Sequence, residues 1–459
     1  MSAKPSLPKG TRDFGPLETA RRNYIFATIR RVFELFGYRA IETPAMENLT
    51  TLTGKYGEEG DRLIFKILNS GDFLKEAREK QLDPENPAAW VNAVSEKALR
   101  YDLTVPFARF VAMNRNDLAF PFKRYQMQPV WRADRPQKGR YREFWQCDAD
   151  VVGSRSLLNE AELICIYDQV FAEFKLPVTI QINNRKVLAG IAEVTGKPNQ
   201  LIDLTVAIDK LDKIGEEKVL EELQSKGFSA SELDILKPVF HLPEDNRERL
   251  QFLDSFLSNS EIGQAGISEL RGLLQYFNSG AMKLSGASLV IDITLARGLN
   301  YYTGTILEVK AKDIEFGSIG GGGRYDDLTG IFGLPDVPGV GISFGADRIY
   351  DVLLIQNLFP ANVETGTVIL IANFGPVDEL EALPLLSSLR SSGIPAEIYP
   401  EPDKIRKQFE YADKKGIPYL LMYGETERNS GKAIVKHLAS GVQNEIELNS
   451  ITGFVTHFD

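Results

Sequence analysis

A cluster of cations between residues 123 and 142 is the feature of this sequence best suited to chemistry. Seven lysines and arginines lie in this stretch against a single acid, Asp134. Strand-like runs precede and follow it, which predicts two antiparallel strands joined by a long basic loop. Such a hairpin could present cations to phosphate, or it could be a solvated loop with ordinary surface charge. Arg132 favours phosphate, because it follows Trp131 within the strand pattern and a partly buried guanidinium usually has an anionic partner.

A run of glycines between Gly317 and Gly323 is a second candidate. Bare backbone allows close approach to a ligand or to a neighbouring strand, whereas the alternative is a flexible turn. The run lacks the Gly-Lys-Ser/Thr ending of a P-loop and the spacing of a dinucleotide fingerprint. Neither of those nucleotide-binding motifs is therefore present here.

Polar side chains also interrupt two apolar strand-like runs near residue 300. Arg297, Asn300, Tyr301 and Tyr302 lie there, where buried polar groups must be satisfied. Paired tyrosines are also common in protein cores, so the segment alone leaves both interpretations open. Arg348 lies near a predicted helix start, where a lone arginine is usually a surface residue.

The elements that must position these residues divide the chain into several parts. An amphipathic helix ends at Gly37 and a strand follows before Pro44. We predict a core over residues 1–185, a charged helical insertion over 186–285, and a resumption of the core over 286–358. Residues 362–459 alternate strand and helix, as in an α/β domain with a mainly parallel sheet.

Composition excludes several classes of protein. The chain has 459 residues, 43% of them hydrophobic and 25% charged, and can therefore bury a sizeable core. No run approaches the roughly 20 apolar residues of a spanning helix, and the first residues do not resemble a signal peptide, so we expect a soluble, cytoplasmic protein without membrane partners. Two cysteines and three scattered histidines cannot form a structural zinc site. The net charge of −10 disfavours indiscriminate nucleic-acid binding but leaves room for a basic patch.

Taken together, these segments resemble the class II aminoacyl-tRNA synthetases, and among them the histidyl-tRNA synthetase family. FGYRAIETPAMENLTTL is similar to the first class motif, FKRYQMQPVWRADRPQKGRYREFWQCDAD to the second and GVGISFGADRIY to the third. LRYDLTVPFARF and ARGLNYYTG resemble the two histidine-binding signatures of this family, and GSIGGGGRYDDL accompanies them. The resemblance covers nearly the whole chain.

The resemblance implies a fold and a reaction. The fold would be α+β, with an antiparallel sheet core flanked by helices, a helical insertion and a C-terminal α/β anticodon-binding domain. The reaction would be ATP-dependent ligation of L-histidine to its tRNA through histidyl-adenylate. Magnesium would enter with ATP rather than through a protein-held metal cluster. The partners would be L-histidine, ATP and tRNA(His), and the first motif would form a homodimer.

The resemblance also assigns roles to individual residues. The catalytic residues would be Arg297 and Arg132. Histidine would be bound by Asp102, Thr104, Arg132, Gln146, Asp150, Arg297, Tyr301 and Tyr302. ATP would be bound by Arg132, Asp134, Phe144 and Arg348. The tRNA acceptor end would meet Arg135, Gln137, Lys138 and Arg140, and a basic C-terminal helix with Lys404, Arg406, Lys407, Lys414 and Lys415 would approach anticodon phosphates.

Two positions depart from the family pattern. Asn300 stands where the family usually has Asp, and Ala149 stands where a bulkier residue is common. Neither carries an assigned catalytic role, but both could alter the geometry of the histidine pocket.

Three alternatives remain from the sequence. A non-charging relative that binds histidine or tRNA would be expected to lack the C-terminal module or several site residues. A threonine enzyme would show zinc-ligating Cys and His residues, and the histidine signatures argue against proline and glycine enzymes. A scaffolding protein would not need arginines embedded in strands.

Overall fold

The structure is a computed structural model that describes residues 4–83, 85–296, 301–360, 363, 366–451 and 453. It divides into two compact units, Met1–Pro360 and Ala361–Asp459. The helices of the first unit are α1 (Pro16–Leu35), α2 (Leu49–Leu52), α3 (Gly57–Arg62), α4 (Lys75–Glu79), α5 (Pro87–Val94), α6 (Thr104–Met113), α7 (Leu158–Glu173), α8 (Arg185–Val194), α9 (Leu201–Ile208), α10 (Leu211–Ile214), α11 (Glu216–Ser225), α12 (Ala230–Leu236), α13 (Asn246–Phe256), α14 (Glu261–Asn278) and α15 (Ala346–Ile355). Its strands are β1 (Arg39–Ala40), β2 (Met46–Asn48), β3 (Lys66–Ile67), β4 (Lys97–Leu99), β5 (Phe122–Trp131), β6 (Glu143–Val152), β7 (Val178–Asn184), β8 (Ser288–Ile291), β9 (Thr305–Ala311), β10 (Gly320–Tyr325) and β11 (Gly339–Gly345).

Helix α1 has the amphipathic pattern expected from the sequence. Ile25, Ile29, Val32 and Phe33 are fully buried on one face, because a spacing of three or four residues returns to the same side of a helix. Gly37 adopts a positive φ of 81° just after the helix, a conformation that glycine adopts without strain. The predicted helix and the strand that follows it are confirmed.

The core of the first unit is an eight-stranded sheet with the order β1-β5-β6-β11-β10-β9-β7-β8. The inner pairings are antiparallel, and only the two outermost pairings, β1 with β5 and β7 with β8, are parallel. Because side chains alternate along a strand, Cys147, Ala149 and Val151 point into an apolar core shared with α1 and α7. The neighbouring residues of β6 lie on the opposite, polar face.

The basic segment forms the hairpin predicted from its sequence. Strands β5 and β6 pair antiparallel, and residues 132–142 form the loop between them. The register places Arg124 opposite Asp150, Gln126 opposite Asp148 and Gln128 opposite Gln146. A single run of cross-strand pairs therefore carries both charges and amides on the polar face.

The glycine run is a strand and not a turn. Gly320 to Gly323 begin β10, which pairs with β9 and β11, so the alternative of a flexible turn is wrong for these residues. A Cβ on Gly322 would lie 2.2 Å from the carbonyl oxygen of Gly341, and one on Gly341 would lie 1.9 Å from Asp150 Oδ1. Glycine is required because two strands and a carboxylate approach too closely for any side chain.

Helices α8 to α14 form the connection between β7 and β8, which are parallel neighbours in the sheet. Their apolar sides, including Leu253, Ile267 and Leu270, join the same core as the sheet. The helical character expected for this part of the chain is present. The domain boundaries that we placed at its ends stay predictions.

The second unit contains α16 (Pro376–Ser391), α17 (Ile405–Lys415), α18 (Glu425–Ser430), β12 (Ile369–Ile371), β13 (Ala396–Ile398), β14 (Tyr419–Met422), β15 (Lys432–His437) and β16 (Gln443–Glu447). Its sheet has the order β13-β12-β14-β15-β16. The expectation of a mainly parallel sheet is wrong, because β14 with β15 and β15 with β16 pair antiparallel. Strands β15 and β16 form an antiparallel hairpin. The alternation of strands and helices in the sequence did not distinguish this hairpin from a crossover connection between parallel strands.

We expect Gly322→Ala to destabilise the first unit by about 1–3 kcal/mol, because the new methyl group would overlap a backbone carbonyl that cannot move without breaking strand pairing. Gly321→Ala is the matched control, since its Cβ would be 3.4 Å from the nearest atom. Thermal unfolding followed by circular dichroism gives the two midpoints. Equal midpoints would contradict the close approach of β10 and β11.

Candidate active site

A cavity of about 830 Å³ opens on the polar face of the large sheet. Strands β6, β9, β10 and β11 form its floor, and the basic loop and helix α9 contribute walls. The residues assigned from the sequence that line it are Arg132, Asp134, Arg140, Phe144, Gln146, Tyr302 and Arg348. The sheet therefore brings together side chains that are more than 200 positions apart in the chain.

Arg132 lies at the junction of β5 and the basic loop. Its Nε donates to the carbonyl oxygen of Tyr101 at 3.0 Å, and its guanidinium carbon lies 4.2 Å from the Tyr101 ring centroid and 5.2 Å from that of Phe144. Within the described residues, its two terminal nitrogens have no hydrogen-bond partner. Arg132 is thus fixed by its stem and presents two donors to the cavity.

Arg348 is held in the first turn of α15. Its Nε donates to Gly139 O at 2.7 Å and its Nη1 to Ser318 O at 2.6 Å. These contacts join the basic loop, the segment before β10 and α15 around one guanidinium. Arg348 is accordingly a partly buried cation of the cavity rather than a surface residue.

A buried carboxylate cluster lies beside Arg132. Asp102 accepts hydrogen bonds from the Tyr56 hydroxyl at 2.9 Å, the Val105 amide at 3.1 Å and the Tyr301 hydroxyl at 3.3 Å. Thr104 hydrogen-bonds Tyr301 in turn. Burial raises the pKa of Asp102, while the Val105 amide and the positive charge of Arg132 oppose that rise.

Acceptor groups predominate on the polar face of β6. Gln146 donates to Ser343 Oγ at 2.8 Å, and Ser343 hydrogen-bonds Asp148. Gln146 Oε1, Asp148 Oδ1 and Gln126 Oε1 are buried and have no donor among the described residues. Since buried acceptors are normally satisfied, this region is suited to a ligand that supplies N–H groups.

Asp150 lies deeper than the other candidate residues. It is only 2% exposed, accepts from the Tyr325 hydroxyl at 2.5 Å and lies 2.7 Å from Arg124 Nη2. Burial raises the pKa of Asp150, and the Arg124 charge opposes the rise. Asp150 is therefore a member of a buried ion pair behind the described cavity lining.

The remaining candidates lie in the loop or outside the described residues. Arg135, Gln137, Lys138 and Arg140 are exposed, and the last three line an adjoining cavity of about 610 Å³. Arg297 and Asn300 lie outside the residues that the structure describes. Ala149 is fully buried on the apolar face of β6, so its side chain does not line the polar face.

Several residues of the site were not identified from the sequence. Tyr56 carried no local signal, because its role depends on a contact with Asp102 across 46 residues. Asp347 is 3% exposed and lies 2.5 Å from both Arg12 and Arg22 while accepting from the Trp145 amide. The pairing of Arg124 with Asp150 could have been found, since the two lie equally far from the middle of the basic loop.

Comparison with known proteins identifies the family. The model of the family described as histidyl-tRNA synthetase matches residues 94–349, and that of the anticodon binding domain matches residues 368–457. The chain belongs to the histidyl-tRNA synthetase family. Histidine–tRNA ligases of Phocaeicola vulgatus and Porphyromonas gingivalis are 54% and 56% identical to it, over 99% and 98% of the chain and 100% and 98% of those proteins.

A solved histidyl-tRNA synthetase from Nostoc sp. is 32% identical, with a TM-score of 0.83 over 99% of this chain and 100% of that one. The α+β fold with its C-terminal anticodon-binding domain, and the activity of a histidine–tRNA ligase, are thus confirmed. The alternatives of another class II synthetase and of a scaffold are excluded. Histidyl-tRNA synthetases use ATP with Mg²⁺.

Among the described residues, no group of three or more His, Cys, Asp or Glu is arranged to hold a metal ion. In the same part of the chain, no helix is long and apolar enough to cross a membrane.

We expect Asp148 to make stability depend on pH. Burial raises its pKa to about 7, whereas an unfolded aspartate titrates near 3.9. Between roughly pH 4 and 7 the folded state binds a proton that the unfolded state has released, so the free energy of unfolding falls as pH rises through this window. Asp148→Asn cannot ionise at this position and so avoids that loss of stability. The melting midpoint of the variant minus that of wild type should therefore be larger at pH 8 than at pH 5.

Thermal unfolding at a series of pH values tests this expectation. Asp212→Asn is the control, because the Asp212 side chain is 65% exposed. A difference between Asp148→Asn and wild type that does not change with pH would contradict the assignment.

Proposed function

We propose that the cavity activates L-histidine with ATP to form histidyl-adenylate and then transfers the histidyl group to the terminal ribose of tRNA(His). The observation that carries this proposal is the position of Arg132. Its guanidinium carbon lies 5.2 Å from the Phe144 ring centroid, on the nucleotide side, and its charge acts on Asp102 on the other side. A cation at this junction can contact the atoms that react.

The nucleotide half of the site would hold ATP as its Mg²⁺ complex. Phe144 would stack on adenine, Arg132 would contact the α-phosphate, and Arg348 would contact the far phosphates, with Asp134 near the nucleotide. Each guanidinium is fixed by backbone carbonyls. Fixed cations stabilise charge that develops on the phosphoryl oxygens without reorganising during the reaction.

The amino-acid half would recognise histidine through buried acceptors. Asp102, Thr104 and Gln146 would bind the α-ammonium group, whose charge would favour the ionised form of Asp102. Asp150, Tyr301 and Tyr302 would surround the imidazole. Asp150 already contacts Tyr325 and Arg124. Its contribution would therefore include orienting the Tyr325 hydroxyl, which would face the imidazole ring of histidine.

The chemical steps need few residues. A carboxylate oxygen of histidine attacks the α-phosphorus, the bond to the oxygen bridging to the β-phosphate breaks, and pyrophosphate leaves with its Mg²⁺. Arg132 would align and neutralise the two anions. Arg297 would assist from the amino-acid side, as its place in the family motif implies.

The tRNA would use surfaces outside the cavity. Arg135, Gln137, Lys138 and Arg140 lie on an exposed loop beside it and would face the acceptor end. On α17, Lys407 pairs with Asp403, Lys415 with Glu397 and Arg406 with Glu410. Such exposed pairs contribute little energy, so these cations, with Lys404 and Lys414, can exchange partners for anticodon phosphates.

We further propose a cytoplasmic homodimer formed through the first motif. The support for the dimer is the exposure of three large apolar side chains, which lie on α1, β2 and α6. Leu35, Met46 and Met113 are 64%, 55% and 73% exposed. Exposed apolar groups of this kind are typical of subunit interfaces.

ATP–pyrophosphate exchange with each of the twenty amino acids supplied singly tests the activation step. We expect exchange with histidine only, and a loss of about 10²–10³ in rate for Arg132→Gln, because a fixed cation at the reacting phosphate is removed. Arg297→Ala should behave likewise.

Arg135→Gln is the matched control, since Arg135 is an exposed arginine of the same loop. It should leave exchange within about threefold of wild type. Exchange with no amino acid, from folded protein, would instead favour a binding or regulatory subunit. Normal exchange by Arg132→Gln would contradict its role.

The dimer is tested by replacing its proposed contacts. We expect Met46→Glu combined with Met113→Glu to weaken self-association by at least tenfold, because buried charges would face an apolar partner surface. Analytical ultracentrifugation measures the effect. Ile355→Glu, at a site 44% exposed on α15, should leave association unchanged, and a wild-type monomer would overturn the proposal.

A further inference from the structure

The proposed reaction brings two different nucleotides into the cavity, but the residues discussed so far account for one. Phe144, Arg132 and Arg348 form the proposed ATP-binding site. The acceptor of the second step is the terminal adenosine of tRNA, and its ribose must reach the carbonyl carbon of the adenylate. A second nucleotide surface is therefore required in the same cavity.

Arg185, which begins α8, is a further cation of the cavity. It is half-buried and lines the cavity, and within the described part of the chain its guanidinium makes no hydrogen bond or ion pair. Burial lowers its pKa. Partly buried guanidinium groups are stabilised by anions, and their fork geometry suits phosphate.

Helix α9 adds an apolar surface to the same cavity. Ile202 and Val206 are 63% and 45% exposed, lie one helical turn apart, and both line the cavity. Two exposed aliphatic side chains on successive turns form a small apolar surface, which suits the flat face of a base. Lys210, just beyond α9, is held by Glu222 at 2.7 Å.

The two helices that carry these residues are firmly positioned. Leu188, Leu295, Ala296 and Ile306 form a small buried cluster with Leu201 packed against it, which joins α8 and α9 to β9. Helix α8 also lies against α14 so closely that a Cβ on Gly190 would be 2.5 Å from Gly263 Cα. The surface is preorganised and not a loop that must fold around its ligand.

We infer that Arg185, Ile202 and Val206 form a docking surface for the 3′-terminal nucleotide of the tRNA, with Arg185 on its phosphate and the two aliphatic side chains against its base. This inference rests on the proposed function and assigns a partner to one wall of its cavity. The surface acts in the transfer step and not in the activation step.

The test compares the two steps in the full-length protein. Arg185→Gln and the double variant Ile202→Ser with Val206→Ser should keep ATP–pyrophosphate exchange within about twofold of wild type. Transfer of histidine from preformed adenylate to subsaturating tRNA, measured in a single turnover, should fall roughly 10-fold to 100-fold. Arg185→Lys should recover part of the Arg185→Gln loss.

Matched controls come from the same helical segment. Arg247→Gln replaces an exposed arginine of α13, and Ile235→Ser replaces an isoleucine of α12 that is 42% exposed. Neither residue lines the cavity, and neither variant should change exchange or transfer.

A second measurement identifies the part of the tRNA involved. Binding of intact tRNA(His) transcript is compared with that of a transcript lacking the terminal adenosine nucleotide. Wild type should lose affinity on truncation, whereas Arg185→Gln and the double variant should bind both transcripts nearly equally, because the contact is already absent.

The outcomes separate this inference from the proposed function. Absence of exchange in wild type overturns the proposed function itself. Normal exchange with unchanged transfer in the variants overturns the docking surface alone. An equal fall in exchange and transfer would mean that these residues bind ATP or histidine and not tRNA. If the variants still bound the intact transcript more tightly than the truncated one, the terminal nucleotide would bind elsewhere.

Discussion

The antiparallel pairing of β6 with β5 and β11 is the constraint on which the rest of the site depends. Alternation along β6 directs Cys147, Ala149 and Val151 into the helix-covered core. It places Gln146 and Asp148 on the polar face, where Gln146 lines the cavity. A slip of one residue would exchange the two sets and bury charge in the core while exposing apolar groups to substrate. The glycines of β10 and β11 reinforce this register, since a side chain at Gly322 or Gly341 would collide with a neighbouring strand or with Asp150.

Buried ion pairs then connect the sheet to the elements around it. Asp347 joins Arg12 of the N-terminal segment, Arg22 of α1 and the backbone of β6 to the helix that carries Arg348. Arg324 and Glu160 form a bidentate pair, at 2.6 and 2.7 Å, between β10 and α7. Removing one partner of such a pair leaves an uncompensated buried charge, so these contacts specify position more than they add stability. Arg132 and Arg348, which face the cavity, donate instead to backbone carbonyls.

Much of the fold and part of the site could be predicted from the sequence. The basic hairpin was predictable because strand patterns flank a positively charged loop. Arg132 could be identified because it lies within the strand pattern and not at the tip of the loop. The glycine run was ambiguous, since its strand conformation depends on the approach of Gly341 from a distant segment. Tyr56, Asp347 and Arg185 could not be identified, because each acquires its role from contacts or exposure that only the folded chain creates. In the second unit, the order of strands and helices did not reveal which pairings are antiparallel.

The order of strands in the large sheet also has a consequence for synthesis on the ribosome. Strand β6 ends at Val152, but its partner β11 begins at Gly339, roughly 190 residues later. At translation rates of about 5–20 residues per second, β6 has an unpaired edge for roughly 10–40 s. Open strand edges recruit other chains, and this edge is hydrophobic on one face. The β6 edge therefore stays open to pairing with other chains until β11 has been synthesised and the sheet can close.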